Sequence, residues 1–277
     1  YQRKEPGIID SQLLTQLVFD QGPKDHAGVL AKEEGIDFED VTHLRISFKN
    51  ILQIANLWNF SNLVKLQLDN NSISKIEGLD HMIHLRWLDL SFNVITQIDN
   101  LNQLKNLRDL TLYHNQITTL ENMDELKNLE VLSIGRNKLQ NIENVIYLRN
   151  FKSLKSVNFS GNAFTSLNDY RSVVIVYLPQ LQYIDYSAIS SEQRNAAAAT
   201  FENLITTLEA KDEVLQSELA LMNKDNERLA HYKKSFVDAF SGESFADLLF
   251  QEDDDDSKLK LWWVIQNLFT EYPSIAL

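Results

Sequence analysis

The side chains able to do covalent chemistry are few in this chain and poorly arranged for it. The six histidines, His26, His43, His81, His84, His114 and His231, are scattered. His81 and His84 flank Met82 with no third ligand nearby, whereas a zinc site needs three or four. There is no cysteine, which removes thiol chemistry and disulfides and points to a reducing, intracellular compartment. The acidic run Glu252–Asp256 lacks the glycine turn and ligand spacing of a calcium loop and reads as solvated. No Gly-rich phosphate loop or nucleophile elbow occurs. The chain is therefore expected to be no enzyme and to need no cofactor or metal. What remains is recognition chemistry. Arg86, Trp87, Asp89, Arg108 and Tyr113 fall at positions expected on a solvent-facing strand surface, with Phe48, Phe92 and His114 beside them. Tryptophan, tyrosine and arginine gathered on one surface are the residue types that dominate protein interfaces.

The element that would position them is a repeat. From Val41 to about Asn150 one pattern recurs every twenty-two residues, led by Val41, Leu63, Leu85, Leu107 and Leu129. Its fourth column is Leu44, Leu66, Leu88, Leu110 and Leu132; its ninth is Lys49, Asn71, Asn93, Asn115 and Asn137. This LxxLxLxxNxI period defines a leucine-rich-repeat solenoid of the α/β class. No single copy can bury its own leucines, so stacking must supply the core. A buried asparagine can pair the backbone at the bend, which is costly to leave unpaired. Two looser copies, led by Leu154 and Leu181, follow an insertion around Val145–Phe151 and resemble a terminal cap. The variable strand positions face the concave side. For Phe48 and Phe92, just before the bend, packing inside as a spine and exposure as contacts both stay open.

The flanks divide the chain further. Residues 1–40 read as a helical cap: Asp10 precedes a helix carrying Leu13, Leu14, Leu17 and Val18, and Gly22-Pro23 opens a second, with Val29 and Leu30 on its apolar side, ending at Gly35. Residues 41–189 form the solenoid. Over 190–241 the column Phe201, Leu208, Leu215, Met222, Leu229 and Phe236 recurs every seven residues, a coiled-coil seam. Residues 242–277 hold short helices, and Leu261, Trp262, Ile265, Leu268 and Phe269 make one apolar enough to dock on another chain. No apolar run is long enough to span a bilayer. The net charge is −13 and the acidic excess sits in the two flanks, which disfavours nucleic acid as a partner. No membrane association is expected.

Outside the generic columns, several strings carry a more specific likeness: Glu5-Pro6-Gly7, Glu34-Gly35-Ile36, Phe48-Lys49-Asn50-Ile51, Asn56-Leu57-Trp58, Trp87-Leu88-Asp89-Leu90-Ser91-Phe92-Asn93, the insert Ile146-Tyr147-Leu148-Arg149, and the cap Leu178-Pro179 through Tyr186. With the rod that follows, the chain resembles the subunit-3 family of the nexin–dynein regulatory complex of motile cilia. The resemblance implies a place in the axonemal linker between doublet microtubules, where such proteins limit sliding and relay signals to dynein arms. It also implies partners among other subunits of that complex, through the coiled coil and the concave face, with dynein arm components as further candidates. The acidic balance argues for little direct contact with acidic tubulin. A phosphatase-1 regulator of the same repeat class and a spliceosomal A-prime-like protein are the alternatives; neither has reason to carry the rod.

Overall fold

A computed structural model of the chain describes residues 5–241, and these fall into two units divided between Leu208 and Glu209. The first begins with two helices, α1 (Ser11–Gln21) and α2 (His26–Glu34). Asp10 caps α1, accepting the Leu13 N–H at 2.8 Å, and Leu14, Leu17 and Val18 are buried, as the sequence predicts. The cap of α2 is Asp25 rather than Gly22-Pro23, because its carboxylate accepts the Gly28 N–H. Val29 is not on an apolar side: it is 53% exposed. Gly35 ends α2 at positive φ, 88°, a backbone that favours glycine. Ahead of α1, Gly7 bridges to Ile51 in the first repeat. A Cβ there would lie 2.0 Å from the Lys49 carbonyl oxygen, so only glycine permits the approach.

Eight short strands then form one sheet in chain order: β1 (His43–Arg45), β2 (Lys65–Gln67), β3 (Trp87–Asp89), β4 (Asp109–Thr111), β5 (Val131–Ser133), β6 (Ser156–Asn158), β7 (Tyr183–Ile184) and β8 (Ser187–Ala188). All neighbours are parallel except β7 and β8, which close the sheet as a hairpin. The central leucines Leu66, Leu88, Leu110 and Leu132 are wholly buried, and so are Leu63, Leu85, Leu107 and Leu129 of the leading column, while Val41 at its start is half-buried. At about 2 kcal/mol for each fully buried side chain, this stack is the dominant stabilising element.

Asparagines complete the stack. Asn93 donates to the Leu68 and Leu90 carbonyls, both at 3.0 Å, and accepts the Ile73 N–H at 3.0 Å. Asn71, Asn115, Asn137 and Asn162 repeat the same bridging to the preceding repeat. At the end Asp185 takes over: its carboxylate accepts the Phe159 and Ser160 N–H groups at 2.7 and 3.0 Å and the Tyr170 hydroxyl at 2.8 Å. A second asparagine column escapes the leucine pattern. Asn56, Asn100 and Asn122 hold positive φ and donate to the Ile9, Ile76 and Ile98 carbonyls. Gly78 stands in the same column with φ 70°.

The expected insertion is α3 (Glu143–Tyr147) followed by a 3₁₀ turn. Tyr147 accepts the Met123 N–H at 2.9 Å, and burial pushes its hydroxyl up to about 12. Phe159, Phe164 and Tyr170 pack edge to face where earlier repeats use aliphatics. Helices α4 (Tyr170–Tyr177) and α5 (Ser191–Thr200) pack together beyond them. Ser190 and Gln193 form a full capping box at the start of α5.

The helical region after the solenoid is not one uninterrupted rod. Phe201 ends α5 with non-helical backbone, and α6 (Glu202–Ser241) starts afresh. Phe201, Leu204, Ile205 and Leu208 pack on the solenoid core, with the spacing of one helical face. Two residues expected in the seam, Phe201 and Leu208, thus cover the end of the first unit. In the second unit Met222 is 60% exposed and Leu229 half-buried, and exposed Val214 and Leu221 lie on the same helix. Leu215 and Phe236 belong to α6 as well. The expected docking helix, with Leu261, Trp262, Ile265, Leu268 and Phe269, lies outside the described residues.

Candidate protein-docking face

Side chains alternate across a strand, so a buried centre sends both of its neighbours to the open face. The parallel register then aligns them into rows. Lys65, Trp87, Asp109, Val131 and Ser156 share one row; Arg45, Gln67, Asp89, Thr111, Ser133 and Asn158 share the next. Among the expected recognition residues, Trp87, Asp89 and Tyr113 are half-buried on this face, while Arg86 and Arg108 are exposed at its edge.

Trp87 is braced rather than loose. The Lys65 ammonium sits 4.0 Å above its ring, a cation–π contact. On the adjacent strand β4, Asp109 is the register partner of Trp87, and the Trp87 side chain helps to lower the Asp109 carboxyl pKa. Burial holds the Asp109 carboxyl above the ordinary carboxylate range, and the Asp89 charge adds to this; hydrogen bonds from Trp87 and Thr111 and the Lys65 charge oppose it. Asp89 is raised too, first by burial and then by Asp69, against hydrogen bonds from Ser91 and the Lys65 charge. The Ser91 N–H and hydroxyl donate to Asp89 at 2.9 and 2.6 Å. Asp69 itself accepts the Ser47 hydroxyl and the Asn70 amide. Nearer the strand starts, Glu130 bridges Arg108 at 3.4 Å and Lys155 at 2.6 Å. Lys155 holds its carboxyl below the usual range.

Along the other edge the residue before each bend is left-handed: Phe48 φ 59°, Asn70 55°, Phe92 52°, His114 57°, Arg136 50° and Gly161 78°. This conformation is uncommon for bulky side chains and throws them outward. Phe48 is 68% and Phe92 43% exposed, so neither forms an internal spine. Phe92 stacks on His114 with centroids 5.0 Å apart and meets Tyr113 edge to face at 5.6 Å, and the Arg136 guanidinium lies 6.0 Å from the Tyr113 ring. The leucine pattern alone missed the left-handed bend. Asn70 and Gly161, residues that tolerate positive φ, were its sign in the same column.

No group of three or more His, Asp or Glu among the described residues is arranged to hold a metal ion. Among those residues no helix is long and apolar enough to cross a membrane. The arrangement offers charge, aromatic area and hydrogen-bonding groups on a rigid sheet, which suits recognition of a polypeptide.

The chain is similar to "Dynein regulatory complex subunit 3" of Homo sapiens, 54% identical over 92% of this chain and 49% of that protein. The like-named protein of Macaca fascicularis is 52% identical over 97% of this chain and 51% of its own length. The resemblance read from the flanks, insert and cap is met in these relatives, and the chain spans about half the length of each. Among solved structures, the crystal structure of the Drosophila melanogaster SNF/U2A′ complex contains a chain 24% identical, with TM-score 0.41 over 57% of this chain and 80% of that one. The leucine-rich repeat family model matches residues 65–213, more than half of the sequence. That stretch holds most of the buried leucine and asparagine ladders, and the chain belongs to the leucine-rich repeat family.

Proposed function

We propose that this chain is a non-enzymatic scaffold within an axonemal dynein regulatory complex, where it helps link neighbouring doublet microtubules and regulate dynein-driven motility. The observation that carries this role is the identity of half or more, over nearly the whole chain, with proteins named dynein regulatory complex subunit 3. In this role the strand face around Trp87 and Arg108 docks another subunit or a dynein arm component. The exposed Val214, Leu221 and Met222 of α6 supply apolar surface for a partner helix. Such a protein works at the axoneme of the cilium or flagellum and touches tubulin little.

Proximity labelling from the chain in motile cilia tests the role. Linker subunits and dynein components are expected among the labelled proteins, and absence of the chain from axonemes refutes it. Trp87→Ala with Arg108→Glu is expected to leave the solenoid folded but to impair assembly. Removing a buried aromatic anchor costs an interface about 2 kcal/mol or more, and a rim charge much less. Normal assembly and beating with that double variant would move the contacts elsewhere on the chain.

A further inference from the structure

The charges of the strand face narrow the chemistry of its occupant. Asp69, just past β2, Asp89 at the end of β3 and Asp109 at the start of β4 step diagonally over three adjacent repeats, each twenty residues after the last. Asp89 feels the charge of Asp69, and Asp109 that of Asp89; Lys65 is the cation that acts on both Asp89 and Asp109. Arg45 reaches Asp69 through the Ser47 hydroxyl, which leaves Asp89 and Asp109 to share the Lys65 ammonium. Burial and repulsion both work against the two central charges, which a further cation would relieve. Lys65 shows how such a cation sits, with its head over the Trp87 ring and its charge shared by the carboxylates. Tyr113, Phe92 and His114 carry aromatic surface onward from there. A cationic head with an apolar stem matches both features.

We propose that this face receives a segment of a partner protein presenting arginine or lysine side chains, which lie against Trp87 and pair with Asp89 and Asp109, an inference that rests on the docking role proposed above. Lys65 is then a tethered stand-in that the partner's cation displaces or joins.

Fluorescein-labelled hexa-arginine, followed by anisotropy with the full chain at low salt, tests this chemistry. Asp89→Asn with Asp109→Asn is expected to weaken binding about tenfold. Glu218→Gln with Glu227→Gln removes the same charge from exposed positions of α6 and is expected to change binding by less than about twofold. Lys65→Met is expected to tighten it, because the internal competitor is gone. Equal losses from the two double variants, or weaker binding with Lys65→Met, would overturn the proposal, since the aspartates would then serve only net charge or Lys65 itself. A second arm uses axonemes stripped of the chain, with folding of each variant checked by thermal melting. Loss of rebinding by both Trp87→Ala and the aspartate pair supports the cationic partner. Loss by Trp87→Ala alone overturns it while leaving the docking role intact, and rebinding by every variant overturns the docking role.

Discussion

The repeats and the long helix α6 carry equally regular apolar columns, yet they use them in opposite ways. Leu66, Leu88, Leu110 and Leu132 are wholly buried against neighbours supplied by the same chain. Met222 of the heptad column and its helix neighbours Leu221 and Val214 stay more than half exposed. A period of twenty-two residues brings each leucine onto the next within one solenoid. A period of seven makes a stripe that its own helix cannot bury: Phe201 and Leu208 cover theirs on the solenoid, and Met222 stays exposed. Periodicity thus tells where apolar surface will be, and the length of the period decides whether the chain can bury it unaided.

Substitutions can break this contrast. The largest effect belongs to the leucine column: Leu88→Ala is expected to cost about 2–5 kcal/mol, read by urea unfolding of the full chain. Asn93→Ala comes next at about 2–3 kcal/mol, because the Ile73 N–H and the Leu68 and Leu90 carbonyls lose their partner inside the stack. A loss below half a kilocalorie there would mean that water replaces the carboxamide. At the left-handed edge, Phe48→Gly should gain up to about 1 kcal/mol, and Phe48→Val should lose about as much, since a β-branched residue fits positive φ worst. Met222→Ser should alter stability by no more than about 0.5 kcal/mol. A larger loss, growing with protein concentration, would reveal that the stripe already pairs two copies.

The smallest expected effect concerns pH. Asp89 and Asp109 have folded pKa values raised above the ordinary 3.8, burial being the first cause. The folded state therefore holds their protons more tightly, so their contribution is most favourable below that value and fades as pH rises through the raised range. Glu130 acts in the opposite sense: its lowered pKa gives stability above the ordinary 4.5 that is lost as pH falls through its folded value. Asp89→Asn with Asp109→Asn should raise the melting temperature slightly at neutral pH and leave the Glu130 slope standing. An unchanged or lower melting temperature would show that the two charges are already relieved.

The solenoid was legible because leucine and asparagine columns repeat the same physical demand at every turn. Asp10 and the insertion near Tyr147 were legible for local reasons, a capping side chain and a broken period. Val29 was not, because a nine-residue helix with one apolar pair gives too little pattern to fix its buried side. The break at Phe201 was hidden as well: the heptad runs through it, and only the solenoid's need to cover its last repeat diverts Phe201 and Leu208. On the docking face the residue types were legible and their partners were not. Lys65 over Trp87 and Asp109 beside it come from the strands on either side of β3, and their pairing depends on a register that no single repeat reveals.

The asparagine ladder also has a direction, and synthesis runs along it. Each bridging carboxamide reaches back to the repeat before it, so the Ile73 N–H waits for Asn93 and the Ile95 N–H for Asn115. Every repeat that leaves the ribosome lacks the carboxamide and strand partners of its bend until its successor emerges. Asp185, accepting the Phe159 and Ser160 amides, is the residue at which that relay stops, so a nascent chain cut before it would end on an unanswered bend.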